Sequence, residues 1–181
     1  MKIMKPESGR PADTAGREAR ELRVYELLDR LNIAYERVDH EAADNMEACL
    51  AVDEALAPAV LCKNLVLCNT QQTKFYLLMI REDKKFLTKL ISKQIGSARL
   101  SFAPPSYMEE FLDIRPGAVS VMGLMNDREG AVSLLVDEDV LKGETIGCHP
   151  CVNTSSLRMK TADVFGPFLQ AVGHDYTPVI L

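Results

Sequence analysis

Apolar and polar positions alternate in blocks whose period changes along the chain. Residues 17–31 (REARELRVYELLDRL) place Leu22, Tyr25, Leu28 and Leu31 near helical spacing, which predicts an amphipathic helix with Asn32 as its stop. A short strand follows over Ala34–Val38. Residues 45–56 predict a second helix with Asn45 as N-cap, ended by Pro58. Residues 60–68 (VLCKNLVLC) and 74–80 (KFYLLMI) are the clearest strand pair. The polar stretch Asn69–Thr73 between them makes a hairpin, and the near-continuous apolar character predicts burial on both faces.

The second half alternates in the same way. A basic helix is expected from about 84 to 95, stopping at Gly96, then a short strand over Arg99–Phe102. Pro104 and Pro105 start another helix with SYMEEFL as its body, and Pro116-Gly117 is a turn. Val119–Met122 and Val132–Val136 are expected strands, followed by an acidic turn at Asp137–Asp139. A strand near Glu144–Ile146 leads into GCHPCVN, and Ser155–Met159 forms another. Thr161 is expected to N-cap a last helix through about Val172, which the internal Gly166-Pro167 pair should kink or break. Helices and strands are interspersed without a βαβ rhythm. The pattern therefore predicts an α+β fold with a mixed sheet and helices packed around it.

Composition narrows the class. At 181 residues and 47% apolar, the chain is long enough for one domain with its own core. Residues 1–16 (with Pro6, Gly9, Pro11 and Gly16) predict a loose arm, leaving 17–181 as a single domain. The N-terminus lacks the apolar core of a signal peptide, and no run approaches the roughly 20 apolar residues needed to cross a bilayer. Five cysteines, an odd number in a chain of this size, argue against a disulfide framework and for a reducing cytoplasm. The net charge of −5 counts against a general nucleic-acid coat. Residues 81–99, however, hold Arg81, Lys84, Lys85, Lys89, Lys93 and Arg99 against only Glu82 and Asp83. Lys85, Lys89 and Lys93 recur every four residues and on a helix would share one face. That face is either ordinary solvated surface or a track for phosphates.

Three segments carry candidate chemistry. Cys148-His149-Pro150-Cys151 has the spacing of a redox dithiol or of half a zinc site. It lies late in the chain, no helix-like pattern follows it, and no second paired spacing of ligands exists, so the cysteines read as incidental. Lys63 sits in an apolar strand, where an unpaired ammonium would be costly to bury. It either faces solvent with Leu61 and Leu65 or lines a pocket for a polar or anionic ligand. The loop from Gly147 to Asn153 joins a glycine, which allows close ligand approach, to a stiffening Pro150 and a titratable His149. Its backbone N–H groups could hold a carbonyl oxygen, although by composition alone it is an ordinary turn. No glycine-rich phosphate loop, G-x-S-x-G elbow or H-E-x-x-H helix is present.

These segments stand in an order that resembles a known family. LLDRLNIAYERVDH, LCKNLVL, KFYLLMI, RLSFAPPSYMEEFLDIRPGAVSVMGLMND, LLVDEDVL and GCHPCVNTSSLRMKTADVFGPFL are similar to the YbaK/ProX (PrdX-like) aminoacyl-tRNA editing family, related to the insertion domain of bacterial prolyl-tRNA synthetases. The likeness spans roughly residues 20–174. It rests most on CKNL, LSFA, PGAV followed by GL-ND, and HP-VNT. It implies a mixed, partly closed sheet surrounded by helices. It also implies metal-independent, cofactor-free hydrolysis of the ester joining a wrong amino acid to tRNA, alanine on proline tRNA above all.

The resemblance further assigns Lys63 as the key functional residue, with Asn64 beside it. Gly147, His149 and Pro150 would form the substrate-positioning loop, and Asn153 and Thr154 continue the motif. It makes the acceptor end of mischarged tRNA the partner, with Lys85, Lys89 and Lys93 as its contact and prolyl-tRNA synthetase as a further partner; neither DNA nor a membrane is expected. A non-catalytic module binding tRNA or a synthetase is the alternative. Val121 stands where the family often has proline, and the cysteines flanking His149-Pro150 lie outside the family pattern. The first departure bears on pocket shape and hence on which amino acid is removed.

Overall fold

The computed structural model describes residues 3–42 and 46–181, with side chains for all of these except 46–49. The expected N-cap, Asn45, lies outside the described residues. In chain order the elements are β1 (Glu7–Ser8), α1 (Ala19–Arg30), β2 (Tyr35–Asp39), α2 (Met46–Leu56), β3 (Val60–Asn69), β4 (Phe75–Arg81), α3 (Thr88–Gln94), β5 (Leu100–Phe102) and α4 (Pro105–Leu112). A 3-10 segment (Val121–Asn126) precedes β6 (Val132–Asp137), α5 (Glu138–Leu141), β7 (Thr145–Cys148) and β8 (Ser155–Lys160). A helical run of α6 (Thr161–Asp163), a π-turn (Val164–Phe168) and α7 (Leu169–Val172) leads to β9 (Tyr176–Val179).

The β3–β4 hairpin is the centre of the sheet. Its turn is closed by the Asn69 side chain, whose Oδ1 accepts from Thr73 N at 2.8 Å and Lys74 N at 3.1 Å. From there the strands pair antiparallel from Cys68 opposite Phe75 to Cys62 opposite Arg81. Parallel β6 and then parallel β9 extend the sheet beyond β4. On the other side β7, β8, β2 and β1 follow in that order, while β5 pairs with the last residues of β3. The result is the expected mixed α+β architecture, with the path open at β1 and β9.

Burial is uneven along β3. Residues 66–69 and all of Phe75–Ile80 are buried, as the apolar runs predict, but Val60–Leu65 is only partly covered. The cause is topological. β7 pairs with β3 only through Val60–Ile146 and Leu61–Gly147, and β5 does not begin until Leu67. Among the described residues, one edge of β3 between them is therefore left without a neighbouring strand.

Several expectations are corrected. The arm before residue 17 contributes β1, and it satisfies a buried guanidinium: Arg37 donates to Gly9 O at 2.7 Å and to Glu7 Oε2 at 2.5 Å. Val119–Met122 is no strand; Ser120 accepts from Met122 N at 3.2 Å and opens the 3-10 turn instead. Val121, Met122 and Leu124 are all buried, so their apolar run carries no alternation. The basic helix is shorter than expected, starting at Thr88, so Lys85 precedes it and only Lys89 and Lys93 share its stripe. The strand expected at Glu144–Ile146 runs on through Gly147 to Cys148. Lys160, not Thr161, takes the cap position of the last helical run. Gly166-Pro167 does not break that run; the irregularity expected there takes the form of a π-turn, which absorbs the proline's missing N–H.

Candidate functional site

The hairpin register decides where Lys63 stands. Lys63 lies opposite Ile80, so Glu82, just past β4, comes beside Leu61 and donates its N–H to Leu61 O at 3.1 Å. The Lys63 Nζ donates to the backbone carbonyl of Glu82 at 2.8 Å. Its ammonium is thus tethered rather than buried unpaired or loose in solvent. It borders a cleft of about 310 Å³ at the point where β7 ends and β3 continues. The carboxyl end of a parallel strand at a break in sheet order is a favoured place for ligands.

Gly147, in β7, forms part of the cleft wall. A Cβ on it would come within 2.8 Å of Leu61 Cδ2 and 3.5 Å of Leu56 Cδ1, so only glycine leaves this wall open. His149, the first residue after β7, lines the same cleft. Its Nδ1 lies 3.0 Å from Ser155 O and 3.2 Å from Ser156 Oγ, and Ser156 Oγ lies 2.9 Å from His40 Nε2. A carbonyl only accepts, so the His149 proton sits on Nδ1 and its Nε2 keeps the lone pair. His40 Nδ1 donates in the same way to Glu41 O at 2.8 Å. Burial holds the His149 imidazole below the usual histidine range; the Ser155 carbonyl opposes this and His40 adds to it. The ring is therefore neutral at physiological pH.

The fold thus brings Lys63, Asn64, Gly147 and His149 to one cleft. It does not bring all the predicted residues there. Pro150 is buried and does not line the cleft, and Thr154 is exposed, its carbonyl accepting from His40 N at 3.0 Å. Asn153 is not among the lining residues; its Nδ2 comes within 3.8 Å of where a Cβ on Gly117, which does line the cleft, would lie. Cys148 and Cys151 are buried and free, and burial pushes the Cys148 thiol up to about 12 and raises that of Cys151 as well. A redox pair needs the opposite shift. Among the described residues no group of three or more His, Cys, Asp or Glu is arranged to hold a metal ion.

The basic segment divides. Arg81 pairs with Asp83, and Lys84 lies 2.7 Å from the buried Asp137 and 2.6 Å from Asp139. Lys85, Lys89, Lys93 and Arg99 are exposed. Phe86, adjoining Lys85, meets the exposed Phe102 with ring centroids 5.8 Å apart.

Sequence reasoning missed an acid pair in the cleft. Asp53 of α2 reaches the Glu82 carboxyl; burial first, then the charge of Glu82 and a hydrogen bond to it, pushes Asp53 up to about 7. No spacing marks the pair, but the hairpin register alone puts Glu82 next to Leu61 and hence near Lys63.

A tethered lysine, an open glycine wall and a neutral imidazole around one cleft suit a site that positions an ester rather than one that attacks it covalently. A family model for the aminoacyl-tRNA editing domain matches residues 40–165, and the chain belongs to that family. The prolyl-tRNA editing protein ProX of Acetoanaerobium sticklandii is 28% identical over 141 residues, covering 78% of this chain and 85% of that protein. Prolyl-tRNA synthetase associated domain-containing protein 1 of Danio rerio is 30% identical over 160 residues, covering 87% and 84%. The crystal structure of a candidate trans-editing enzyme for prolyl-tRNA synthetase superposes with a TM-score of 0.67 at 15% identity, covering 91% of this chain and 98% of that one. At that identity the likeness speaks for the fold. No helix among the described residues is long and apolar enough to cross a membrane.

Proposed function

We propose that the protein is a trans-editing deacylase that hydrolyses the ester of mischarged proline tRNA, with Ala-tRNA(Pro) as its substrate. The observation that carries this reading is the convergence of Lys63, Gly147 and His149 on one cleft. The family supplies the reaction class, and the two relatives named for prolyl-tRNA point to the tRNA.

In this reading the aminoacyl ester enters between β3 and β7. The Gly147 wall admits the ester carbonyl, and backbone N–H groups of the turn through Pro150 polarise it. Water attacks the carbonyl carbon and the ribose oxygen departs. The neutral His149 Nε2, its ring fixed through Nδ1, takes the water's proton and returns one to the ribose oxygen. The substrate's own ribose hydroxyl helps to orient the water. Lys63 holds the terminal nucleotide as a point charge, with Asn64, Asn153 and Thr154 along the same strand and loop. Much of the rate then comes from positioning. Leu56, Leu61 and Val119 give the cleft an apolar wall, which in this reading takes a methyl side chain and turns larger ones away. Exclusion matters because one methylene gives only about 1–3 kcal/mol of discrimination by binding.

Lys85, Lys89 and Lys93, with Phe86 and Phe102 beside them, offer charge and stacking surface to the acceptor end of RNA. The enzyme would act in the cytoplasm, with prolyl-tRNA synthetase as its partner. The test is release of amino acid from proline tRNA charged with alanine, cysteine or serine. Alanine should leave fastest, and Lys63→Ala should nearly abolish release. No release from any mischarged tRNA would leave a non-catalytic module and overturn the reading.

A further inference from the structure

We propose that Asp53 and Glu82 form the receptor for the substrate's α-ammonium group, making the site selective for esters of amino acids whose amino group is free. This rests on the reading of the cleft as an aminoacyl-ester site.

The first argument is hydrogen-bond satisfaction. Asp53 Oδ2 and Asn64 Oδ1 are buried atoms without a hydrogen-bond partner among the described residues, and both residues line the cleft with Lys63 and Gly147. Buried acceptors left bare in a native site call for a donor from outside. Asn64 Oδ1 accepts only, and Asp53 Oδ2 accepts once the carboxyl has given up its proton, so a ligand bringing N–H groups to this corner satisfies both. An aminoacyl end of tRNA carries carbonyl, ester and phosphate oxygens, hydroxyls, and a single cationic donor with three N–H groups.

The second argument is charge. Three elements present charged groups to the corner: α2 brings Asp53, the end of β4 brings Glu82, and β3 brings Lys63; the Cys62 and Cys148 thiols, raised by burial, and the His149 ring also line the cleft and are neutral. Lys63 donates to the backbone carbonyl of Glu82, and no ion pair reaches either carboxylate among the described residues. A carboxyl that faces another carboxylate without a counter-ion keeps its proton to higher pH. Burial and mutual repulsion keep Asp53 protonated up to about neutrality. An arriving ammonium replaces that proton and supplies the missing positive charge, so substrate binding near neutral pH releases a proton.

The third argument is selectivity. A receptor that needs an ammonium rejects an acylated amino group, because acylation removes the charge and leaves the carboxylates unpaired.

The experiment compares single-turnover deacylation of Ala-tRNA(Pro) and N-acetyl-Ala-tRNA(Pro) by the full-length wild type, Asp53→Asn and Glu82→Gln. Thermal melting of each variant reports its fold. Wild type should lose about 10- to 100-fold in kcat/KM on acetylation, the range for a hydrogen bond to a charged group. Asp53→Asn should lose a similar factor on the free-amine substrate and almost nothing further on acetylation. Equal wild-type rates on the two substrates would overturn the proposal. So would a variant that loses the same factor on both, because the carboxylate would then act on the ester rather than the amine. Should Asp53→Asn fail to fold, Glu82→Gln decides by the same comparison. Absence of wild-type release from any aminoacyl-tRNA would instead sink the deacylase reading, and this proposal with it.

Discussion

A single methyl group on Gly147 is the sharpest probe of the cleft. In Gly147→Ala the new Cβ stands 2.8 Å from Leu61 Cδ2, 3.5 Å from Leu56 Cδ1 and 3.9 Å from Leu157 O. The last two are ordinary contacts. The first falls short of the usual carbon–carbon separation of about 3.5–4.0 Å, so the Leu61 methyl must retreat by roughly 1 Å. Leu61 is only partly buried, so it can yield. Overpacking costs typically ~1–3 kcal/mol, and a yielding side chain places this case at the low end. Replacing glycine inside a strand returns about 0.5–1 kcal/mol. The net loss is then about 1 kcal/mol or less, a drop in Tm of roughly 2–4 °C for a chain of this size. Catalysis should suffer far more. A misplacement of about 1 Å costs on the order of 100-fold in rate when positioning carries the reaction. Deacylation of Ala-tRNA(Pro) should therefore fall about 100-fold while the melting curve barely moves. Activity within threefold of wild type would refute the placement of the ester carbonyl against Gly147. A collapse in Tm would refute the claim that Leu61 yields.

Two further outcomes follow from neighbouring features. Gly123→Ala would set a Cβ 2.4 Å from Ile114 Cδ1 and 3.0 Å from Leu112 Cβ, both fully buried, so the core cannot yield; calorimetry should show a loss of about 2–3 kcal/mol. Asp53 has its folded pKa raised to about 7, so its contribution to stability is present below the unfolded carboxylate range and lost as pH rises through 7. Asp53→Asn removes the repulsion, and after allowance for solvent screening it should gain roughly 1 kcal/mol over wild type at pH 8 and nothing at about pH 3, below the unfolded carboxylate range, read from urea melts. An equal effect at both pH values would contradict the acid pair.

Legibility in the sequence followed physical locality. The β3–β4 hairpin could be read because continuous apolar runs flank a polar turn, and Asn69 at its corner makes the closing bonds. Val119–Met122 could not, since an apolar run buried all round has no period to read. β9 went unforeseen: it is a short stretch containing Pro178, tolerated only because β9 is an edge strand. Lys63 and the Gly147–Asn153 loop were each ambiguous as isolated residues. The resemblance joined them, and the parallel pairing of Leu61 with Gly147 gives the physical reason. Asp53 and Glu82 were invisible because a helix–strand contact brings them together, and only the hairpin register hints at half of it.

The missing neighbour along β3 bears on the time scale of the backbone. Glu82 N bonds to Leu61 O across the hairpin, while Ala103 N bonds to Val66 O on the opposite edge. Alternation then turns the N–H of Asn64 toward the gap between the end of β7 and the start of β5. A central strand should hold its amides for hours, yet this position is built to exchange with water like a loop. Occupation of the cleft would close the gap, and the slowing of one amide in the middle of the sheet would report the bound substrate without any chemistry taking place.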